Sequence, residues 1–270
     1  MSERFIGKRC LEGDGEAEVL SVFKEKKISL ELEGLDVKIV YHTYEGVETN
    51  TLLVGFSEKR RVLSTVDGYR RVSYVGNSYI PSEIENKIMT KKTYKQYEKG
   101  LPLTFGVKPS QITFMGTGVD MDKHAVCQKN YEDLKVCCIA TGGAKNNALR
   151  MGVDSGDWIE TRTGFKLSTG TINILLLTNA VLTAGAMARA IITATEAKTA
   201  ALQDLNYTST PTPHVQATGT GTDTMIIVSN TNKQQNTIHH TGGHTKIGEL
   251  IAKTTKTAVT QALKNYDGEK

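Results

Sequence analysis

The segment spanning residues 170–205 constrains the fold of this chain more than any other part of the sequence. Residues 170–180 read Gly-Thr-Ile-Asn-Ile-Leu-Leu-Leu-Thr-Asn-Ala, a run that becomes apolar on both faces toward its end. Such a run is typical of an inner strand that is covered on both sides. The alanine-rich residues that follow predict a helix over residues 183–203, whose small side chains let other backbones come close. An inner strand joined to a buried helix predicts an α/β fold.

The first hundred residues follow a different pattern, with short alternating segments that predict antiparallel strands. These strands are predicted over residues 28–33, 37–44, 51–56, 61–66 and 72–75. Asp67 and Gly68 form a strong hairpin signal between the last two. A charged helix is predicted over residues 82–99, with Ser82 as its N-cap and Gly100 at its end.

The second half of the chain has longer apolar runs and more helix. Strands are predicted over residues 112–115, 136–140 and 224–229, a short helix within 141–150, and a final helix over 245–264. We therefore predict an α/β fold of the mixed α+β kind, with helices packed on one mixed sheet. It is expected to form a single domain over residues 1–270, with an antiparallel-rich section in 1–100 and an α/β body in 101–265.

Composition argues against several classes of protein. The 270 residues are 39% hydrophobic and 23% charged, which suits a packed core and not wholesale disorder. The formal net charge of +4 is too small, and the Lys and Arg residues too scattered, to indicate a nucleic-acid partner. The N-terminus lacks the apolar core of a signal peptide, and no apolar run approaches the ~20 residues of a membrane span. We expect a cytoplasmic protein with neither a nucleic-acid nor a membrane partner.

The four cysteines match no redox or zinc motif. Cys10, Cys127, Cys137 and Cys138 show no Cys-x-x-Cys spacing. In a reducing compartment they are expected to be free thiols. Cys137 and Cys138 lie in an apolar predicted strand, and free cysteines are often buried, so both are expected in the core.

The alanine-rich helix carries a polar stripe. Arg189, Thr193 and Glu196 stand at i, i+4 and i+7, on one face of the helix. One interpretation is an exposed stripe on a surface helix. The other is a stripe that lines a cleft, with Glu196 as acid, base or ligand anchor and Arg189 as its charge partner.

A ribbon rich in glycine and hydroxyl groups occupies residues 218–223. It precedes a strand, whereas a dinucleotide fingerprint or a P-loop follows a strand and opens a helix, so neither kind of nucleotide site is predicted. One interpretation is a tight turn capped by Asp223. The other is a set of backbone and hydroxyl donors for amide or carbonyl oxygens, with Asp223 orienting a base. The predicted donors are Thr218, Gly219, Thr220, Gly221 and Thr222.

Gly242, Gly243 and His244 lie where the final helix begins. Free N–H groups at a helix start favour an anion or a developing oxyanion. A histidine titrates near neutral pH, which suits a general acid or base. His239 and His240 are close in sequence, but no Cys/His pairing or helical His-x-x-x-His accompanies them. The sequence therefore predicts no metal ligands.

Residues 141–147 follow a buried predicted strand, and α/β folds often bind ligands at the carboxyl ends of their strands. Thr141, Gly142, Asn146 and Asn147 are predicted to bind substrate, since their backbone and side chains can hydrogen-bond amides or carboxylates. The alternative is a glycine-assisted turn from strand to helix.

These segments, in this order, resemble the adenosylcobinamide amidohydrolase family. The resemblance is carried by residues 170–180, 190–202, 217–223 and 241–252. It implies a salvage enzyme of archaea and some bacteria that cleaves the amide between the aminopropanol arm and the corrin ring of adenosylcobinamide, giving adenosylcobyric acid. It implies a small-molecule corrinoid partner and no required cofactor, with a divalent metal ion left open; a homo-oligomer is compatible with it. The alternative function is a non-catalytic corrinoid- or nucleotide-binding protein on the same scaffold.

The implied chemistry needs a nucleophile, a base, donors for the oxyanion and a proton for the leaving amine. His244 or Glu196 is expected to act as the base, with Asp223 orienting it. The runner-up mechanism uses Thr220 or Thr222 as the nucleophile. Glu196 and three loops are expected to line one cavity, the loops being residues 141–147, 218–223 and 241–245.

Overall fold

Twelve strands and four α-helices are present in the part of the chain that the computed structural model describes, residues 3–5, 22–88, 90–156, 170–231 and 237–268. The strands are β1 (Glu3–Phe5), β2 (Val22–Lys27), β3 (Leu35–Tyr44), β4 (Val47–Ser64), β5 (Gly68–Tyr79), β6 (Ile112–Thr117), β7 (Ala125–Tyr131), β8 (Leu134–Gly142), β9 (Ile172–Thr178), β10 (Val181–Leu182), β11 (Thr224–Ser229) and β12 (Thr237–Ile238). The helices are α1 (Ser82–Lys87), α2 (Lys91–Thr104), α3 (Ala184–Asp204) and α4 (Lys246–Asp267).

Ten of these strands form one mixed sheet, which curls because β4 changes partner along its length. One edge of β4 pairs with β5, while the other pairs with β3 as far as Phe56 and with β11 from Arg61 onward. The β4–β5 register shifts between Gly55 and Arg60, an irregularity that lets a strand bend. The strand order is β1-β2-β3-β4-β11-β9-β8-β7, and β6 pairs with β5. The successive pairs β1–β2, β2–β3, β3–β4 and β4–β5 are antiparallel, whereas the pairs β9–β11 and β5–β6 are parallel. The predicted mixed α+β fold is confirmed.

The curled sheet is buried on both of its faces. Inside the curl, Val54 and Val75 belong to the same apolar cluster as Ile139 and Leu175. On the outside, β8, β9 and β11 pack against α3 and α4 through a second cluster that includes the alanine-rich face of α3. β9 lies between β8 and β11 with every residue buried, which confirms the predicted inner strand. None of the described helices combines the length and apolar character that crossing a membrane requires.

Several predicted strands differ from the structure for local reasons. Residues 28–33 form a loop instead of a strand, and Glu31 N donates to Gln128 Oε1 (2.8 Å) of β7. The loop thereby connects the end of β2 with β7 across the curl of the sheet. The strand β7 itself was not predicted. The strands predicted over 51–56 and 61–66 are one continuous strand, β4.

Two predicted helices also differ. The helix predicted over residues 82–99 is divided into α1 and α2, because extended Thr90 interrupts it and caps α2 by accepting a hydrogen bond from Thr93 N. Ser82 makes no capping hydrogen bond, and Gly100 lies within α2 instead of ending it. The short helix predicted within residues 141–150 is absent; that segment forms turns.

His42 makes the stability of the fold depend on pH. It is fully buried in β3, with Nε2 3.0 Å from Thr51 Oγ1. Burial lowers the pKa of His42 from 6.5 to about 4. Between these two values the unfolded chain takes up a proton that the folded chain does not. The contribution of neutral His42 to the stability of the fold is therefore fully present above the unfolded pKa and is lost as the pH falls through this window.

We expect this group alone to lower the free energy of unfolding by roughly 3 kcal/mol between pH 7 and pH 4. A His42→Gln variant cannot titrate at this position and should lose correspondingly less stability over the same interval. Urea unfolding at a series of pH values measures both proteins. An equal pH dependence in the wild type and the variant would contradict this account of His42.

Candidate active site

Asp223 lies at the centre of a largely buried cluster of polar groups just before β11. Its carboxylate forms an ion pair with Lys198 of α3, and the Lys198 and Asp223 side chains are only 7% and 12% exposed. Asp223 Oδ1 accepts hydrogen bonds from Thr220 Oγ1 (2.6 Å) and Ile172 N (3.1 Å). We name Lys198, Thr220, Thr222 and Asp223 the Asp223 cluster.

A chain of hydroxyl groups connects the protein surface with Asp223. Thr222 is exposed, and its Oγ1 lies 3.3 Å from Oγ1 of the buried Thr220. Because Thr220 donates its hydroxyl proton to Asp223, its oxygen can accept the proton of the Thr222 hydroxyl. The carbonyl oxygen of Gly170, 3.2 Å from Thr222 Oγ1, is the other acceptor within reach. This arrangement can pass a proton from an exposed hydroxyl to a buried carboxylate.

Glycines let the ribbon of residues 218–223 pack closely against its neighbours. A Cβ atom at Gly219 would lie 2.8 Å from Lys198 Nζ. Gly221 has a φ of +80°, and a Cβ atom there would lie 2.7 Å from Leu149 Cδ1. The backbone of Leu149 holds the ribbon from this side, since its N–H donates to Gly219 O (2.8 Å). The ribbon is therefore fixed between α3 and the segment that follows β8.

A largely buried network of amides and hydroxyls adjoins the Asp223 cluster. Asn173 of β9 donates to Asn77 Oδ1 (2.8 Å) and Gly116 O (2.9 Å), and it accepts from Thr224 Oγ1 (2.7 Å). Asn77 of β5 donates in turn to Thr141 Oγ1 (2.9 Å). The network joins five strands at one edge of the curled sheet. This edge is formed by the starts of β9 and β11 and the end of β8, and Asp223 lies next to it.

The predicted substrate-binding residues at 141–147 lie at this same edge. Thr141 and Gly142 are buried at the end of β8, and Asn146 is exposed. Asn147 Nδ2 donates to Gly170 O, the carbonyl that the ribbon hydroxyl also contacts. The structure therefore brings this segment and the ribbon together, while the roles of its residues in binding substrate stay predictions.

The loop that contains His244 lies at the opposite edge of the sheet, so the expectation of one shared cavity is wrong. The loop packs beside Arg189 in the first half of α3, whereas Asp223 pairs with Lys198, nine residues and roughly 13 Å further along the same helix. The loop rests on the first half of α3, where Thr193 Oγ1 donates to Thr241 O (3.0 Å). Asp223 therefore cannot orient His244.

The remaining predicted residues form a separate surface group at that second edge. A Cβ atom at Gly242 would lie 3.1 Å from His244 Nδ1 and 3.3 Å from Arg189 Nε, and Gly243 is exposed beside them. The described ranges contain no group of three His, Cys, Asp or Glu side chains arranged to hold a metal ion. His239 and His240 are exposed at the surface. The predicted roles of this surface group stay predictions.

The polar stripe predicted on α3 divides between two faces of the helix. Thr193 is buried, whereas Glu196 is exposed and does not contact the Asp223 cluster through any hydrogen bond or ion pair of the described residues. The charge that α3 supplies to Asp223 is Lys198, which lies on the buried alanine-rich face. Sequence reasoning missed Lys198. Its position in the alanine stripe is the signal that identifies it, since a buried ammonium requires a partner.

The cysteines lack the properties of catalytic thiols. Cys137 and Cys138 are fully buried in β8, as predicted, and Cys127 is half-buried. Burial raises the pKa of Cys137 to about 12 and that of Cys138 well above its usual value. A thiol that stays protonated is a poor nucleophile. Cys10 lies outside the described residues.

Gly248 allows the loop at the second edge to pack on the first turn of α4. A Cβ atom at this position would lie 2.7 Å from Thr241 O and would overlap the carbonyl group of Gly242. We expect Gly248→Ala to destabilise the protein by about 1–3 kcal/mol, because overpacking outweighs the helical preference for alanine. Gly185→Ala is the matched control, since Gly185 is exposed in α3 and its Cβ would have room. Thermal unfolding measures both, and equal stability of the two variants would contradict this expectation.

One family model identifies the family of this chain. The family model for adenosylcobinamide amidohydrolases (CbiZ) matches residues 36–270. The uncharacterized protein MJ1613 of Methanocaldococcus jannaschii is 43% identical over 252 residues, which cover 88% of this chain and 96% of that protein. The crystal structure of the PH0078 protein from Pyrococcus horikoshii OT3 is similar over 85% of this chain and 83% of its own, with a TM-score of 0.41 and 10% identity. The chain belongs to the adenosylcobinamide amidohydrolase family, a hydrolase family, and this membership supports an amidohydrolase type of function.

Proposed function

We propose that this protein hydrolyses the amide between the aminopropanol arm and the corrin ring of adenosylcobinamide. The products are adenosylcobyric acid and the free amine, and the acid returns to cobalamin synthesis in the cytoplasm. The match of the family model over residues 36–270 carries the proposal. The alternative is a non-catalytic protein that binds a corrinoid or a nucleotide on the same scaffold.

We assign the reaction to the Asp223 cluster because it combines an exposed hydroxyl, a relay and a buried carboxylate. Thr222 is the hydroxyl that substrate can reach, and Thr220 connects it with Asp223. Lys198 holds the carboxylate in place through the buried ion pair. The surface group at His244 has no such connection to Asp223 among the described residues, because it packs beside Arg189, nine residues before Lys198 along α3.

In the proposed first step, Thr222 Oγ1 attacks the carbonyl carbon of the amide, and its proton passes through Thr220 to Asp223. Gly221 N and Thr222 N donate no hydrogen bond to another described residue, so both are free to stabilise the developing oxyanion. The C–N bond then breaks, the proton moves from Asp223 to the departing nitrogen, and an ester remains on Thr222. Water hydrolyses this ester by the same proton route, which restores the hydroxyl and releases the acid.

A product assay tests the function directly. Purified protein is incubated with adenosylcobinamide, with and without a chelator, and the corrinoids are identified by mass spectrometry. We expect adenosylcobyric acid and free aminopropanol in equal amounts in both samples. Cobinamide that is bound but recovered unchanged would favour the non-catalytic alternative. Activity lost with the chelator and restored by a divalent metal ion would make His239, His240 and His244 candidate ligands.

A further inference from the structure

A cleft of about 850 Å³ opens where the curled sheet brings the end of β2 and the loop after it close to the start of β7. This volume lies in the upper part of the range of ~300–1,000 Å³ that small-molecule sites occupy. The cleft has an apolar lining with polar groups around it, which suits a broad ring fringed with amides. The apolar residues are Ile28, Leu30, Leu35, Val37 and Val126. The polar residues are Lys26, Lys27, Ser29, Asp36, Asp122 and His124.

The polar groups on one side of the cleft are held in fixed positions. Asp122 Oδ1 accepts hydrogen bonds from Lys26 Nζ (2.7 Å) and Tyr41 OH (2.7 Å). These bonds join β2 and β3 to the segment before β7 at the side of the cleft that Lys26 and Asp122 line. Polar groups that are already fixed in this way can hydrogen-bond neutral amides without a further loss of side-chain entropy on binding.

His124 presents one ring nitrogen to the cleft in a manner typical of a metal ligand. Its Nδ1 lies 2.7 Å from Met121 O, and because a carbonyl only accepts, Nδ1 carries the proton. A backbone carbonyl that fixes one ring nitrogen leaves the other available for a metal. His124 lines the cleft, and its Nε2 has no hydrogen bond to the described residues.

The cleft and the Asp223 cluster lie at the same edge of the sheet, where the strands end, with the cleft on the inner face of the curl and Lys198 on the face that α3 covers. Ala125 pairs with Ala140, so His124 lies beside the next residue of β8, Thr141. Thr141 pairs with Asn173, and Asn173 pairs with the residue that follows Asp223. Three strand spacings of about 4.8 Å put His124 about 14 Å from that residue across the sheet. This separation is of the order of the span of a corrin ring with a side arm.

We propose that this cleft binds the corrin ring of the substrate and that His124 Nε2 coordinates its cobalt on the face opposite the adenosyl group. The substrate arm then runs along the edge of the sheet toward Thr222. Nε2 takes the place of a water molecule at cobalt, with no change in oxidation state. The inference rests on the proposed corrinoid substrate.

The test is a spectroscopic titration of the full chain with cobinamide in its aqua form, whose absorption changes when nitrogen replaces water at cobalt. We expect the wild type to show this change and His124→Gln to lack it. Replacing groups that merely orient a metal ligand costs roughly 10–100-fold in metal affinity, so His124→Gln should bind at least about tenfold more weakly. Val126→Trp should lose affinity to a similar degree because the new ring fills the cleft. Val126 is 36% exposed, and thermal unfolding verifies that the variant folds.

Two control variants make comparable changes away from the cleft. His214→Gln replaces an exposed histidine, and Leu103→Trp adds an indole to an exposed position on α2. Both should bind cobinamide like the wild type and show the same spectral change. The inference would be overturned if His124→Gln showed the same spectral change as the wild type, or if Val126→Trp bound cobinamide with wild-type affinity.

Failure of the inference and failure of the proposed function give different results. If the wild type releases adenosylcobyric acid and Val126→Trp does so equally well, the cleft is not the site although the function stands. If the wild type binds cobinamide with the His124-dependent spectrum but releases no acid, the site stands and the hydrolase does not.

Discussion

Lys198→Met should lower the free energy of unfolding by about 3–5 kcal/mol, the cost of leaving one charge of a buried pair without its partner. The Asp223 carboxylate is 12% exposed, so it would keep little water to replace the ammonium. Its hydrogen bonds from Thr220 Oγ1 and Ile172 N would remain, but neither carries a positive charge. The effect should therefore be large for a single substitution.

Urea unfolding of a double-mutant cycle measures this pair. The double variant Lys198→Met with Asp223→Asn should be less destabilised than the sum of its single variants, since no uncompensated charge remains. Lys253→Met is the matched control, because Lys253 pairs with Glu249 on the surface (2.6 Å) and is 60% exposed. That change should cost less than about 1 kcal/mol. Equal losses of unfolding free energy in Lys198→Met and Lys253→Met would show that the buried pair contributes no more to stability than the surface pair.

Substitutions in the Asp223 cluster should lower the turnover of adenosylcobinamide by about 10²–10⁴-fold, the usual cost of losing a positioned proton acceptor. Asp223→Asn removes the acceptor, and Thr220→Val removes the relay while keeping the shape of the side chain. Thr222→Ala removes the attacking hydroxyl. Thr220→Ser keeps a hydroxyl group and should retain most of the turnover. Circular dichroism at the assay temperature establishes that each variant is folded.

The same panel tests the base predicted from the sequence. His244→Ala and Glu196→Gln should keep turnover within a few-fold of the wild type if the reaction occurs at the Asp223 cluster. Loss of turnover in either variant, with activity retained in Asp223→Asn, would move the chemistry to the surface group at the second edge. Activity retained in Thr222→Ala but lost in Asp223→Asn would make water the nucleophile.

The core of the fold was predictable because its signals are local. The apolar run that became β9 and the alanine-rich run that became α3 each encode burial within a few neighbouring residues. The change of partner along β4 was not predictable in this way. It depends on a bulge near residues 55–60 and on β11, which lies more than 150 residues further along the chain.

The site was predicted in part, and its errors have physical causes. The ribbon before β11 and the segment after β8 were expected to meet, and they do, because both adjoin the same edge of the sheet. The loop at His244 was grouped with them although it follows β11, and loops before and after one strand lie at its opposite ends. The bond between Asn77 and Asn173 joins residues 96 positions apart, so no local pattern reveals it.

Hydrolysis in water enriched with oxygen-18 tests the central claim most directly. If the protein cleaves the amide at the corrin arm, adenosylcobyric acid should carry oxygen-18 in its new carboxylate, and aminopropanol should appear unlabelled in equal amount. Thr222→Ala should form neither product above background, while His244→Ala should form both. Cobinamide returned intact and unlabelled by a well-folded wild-type protein would contradict the claim.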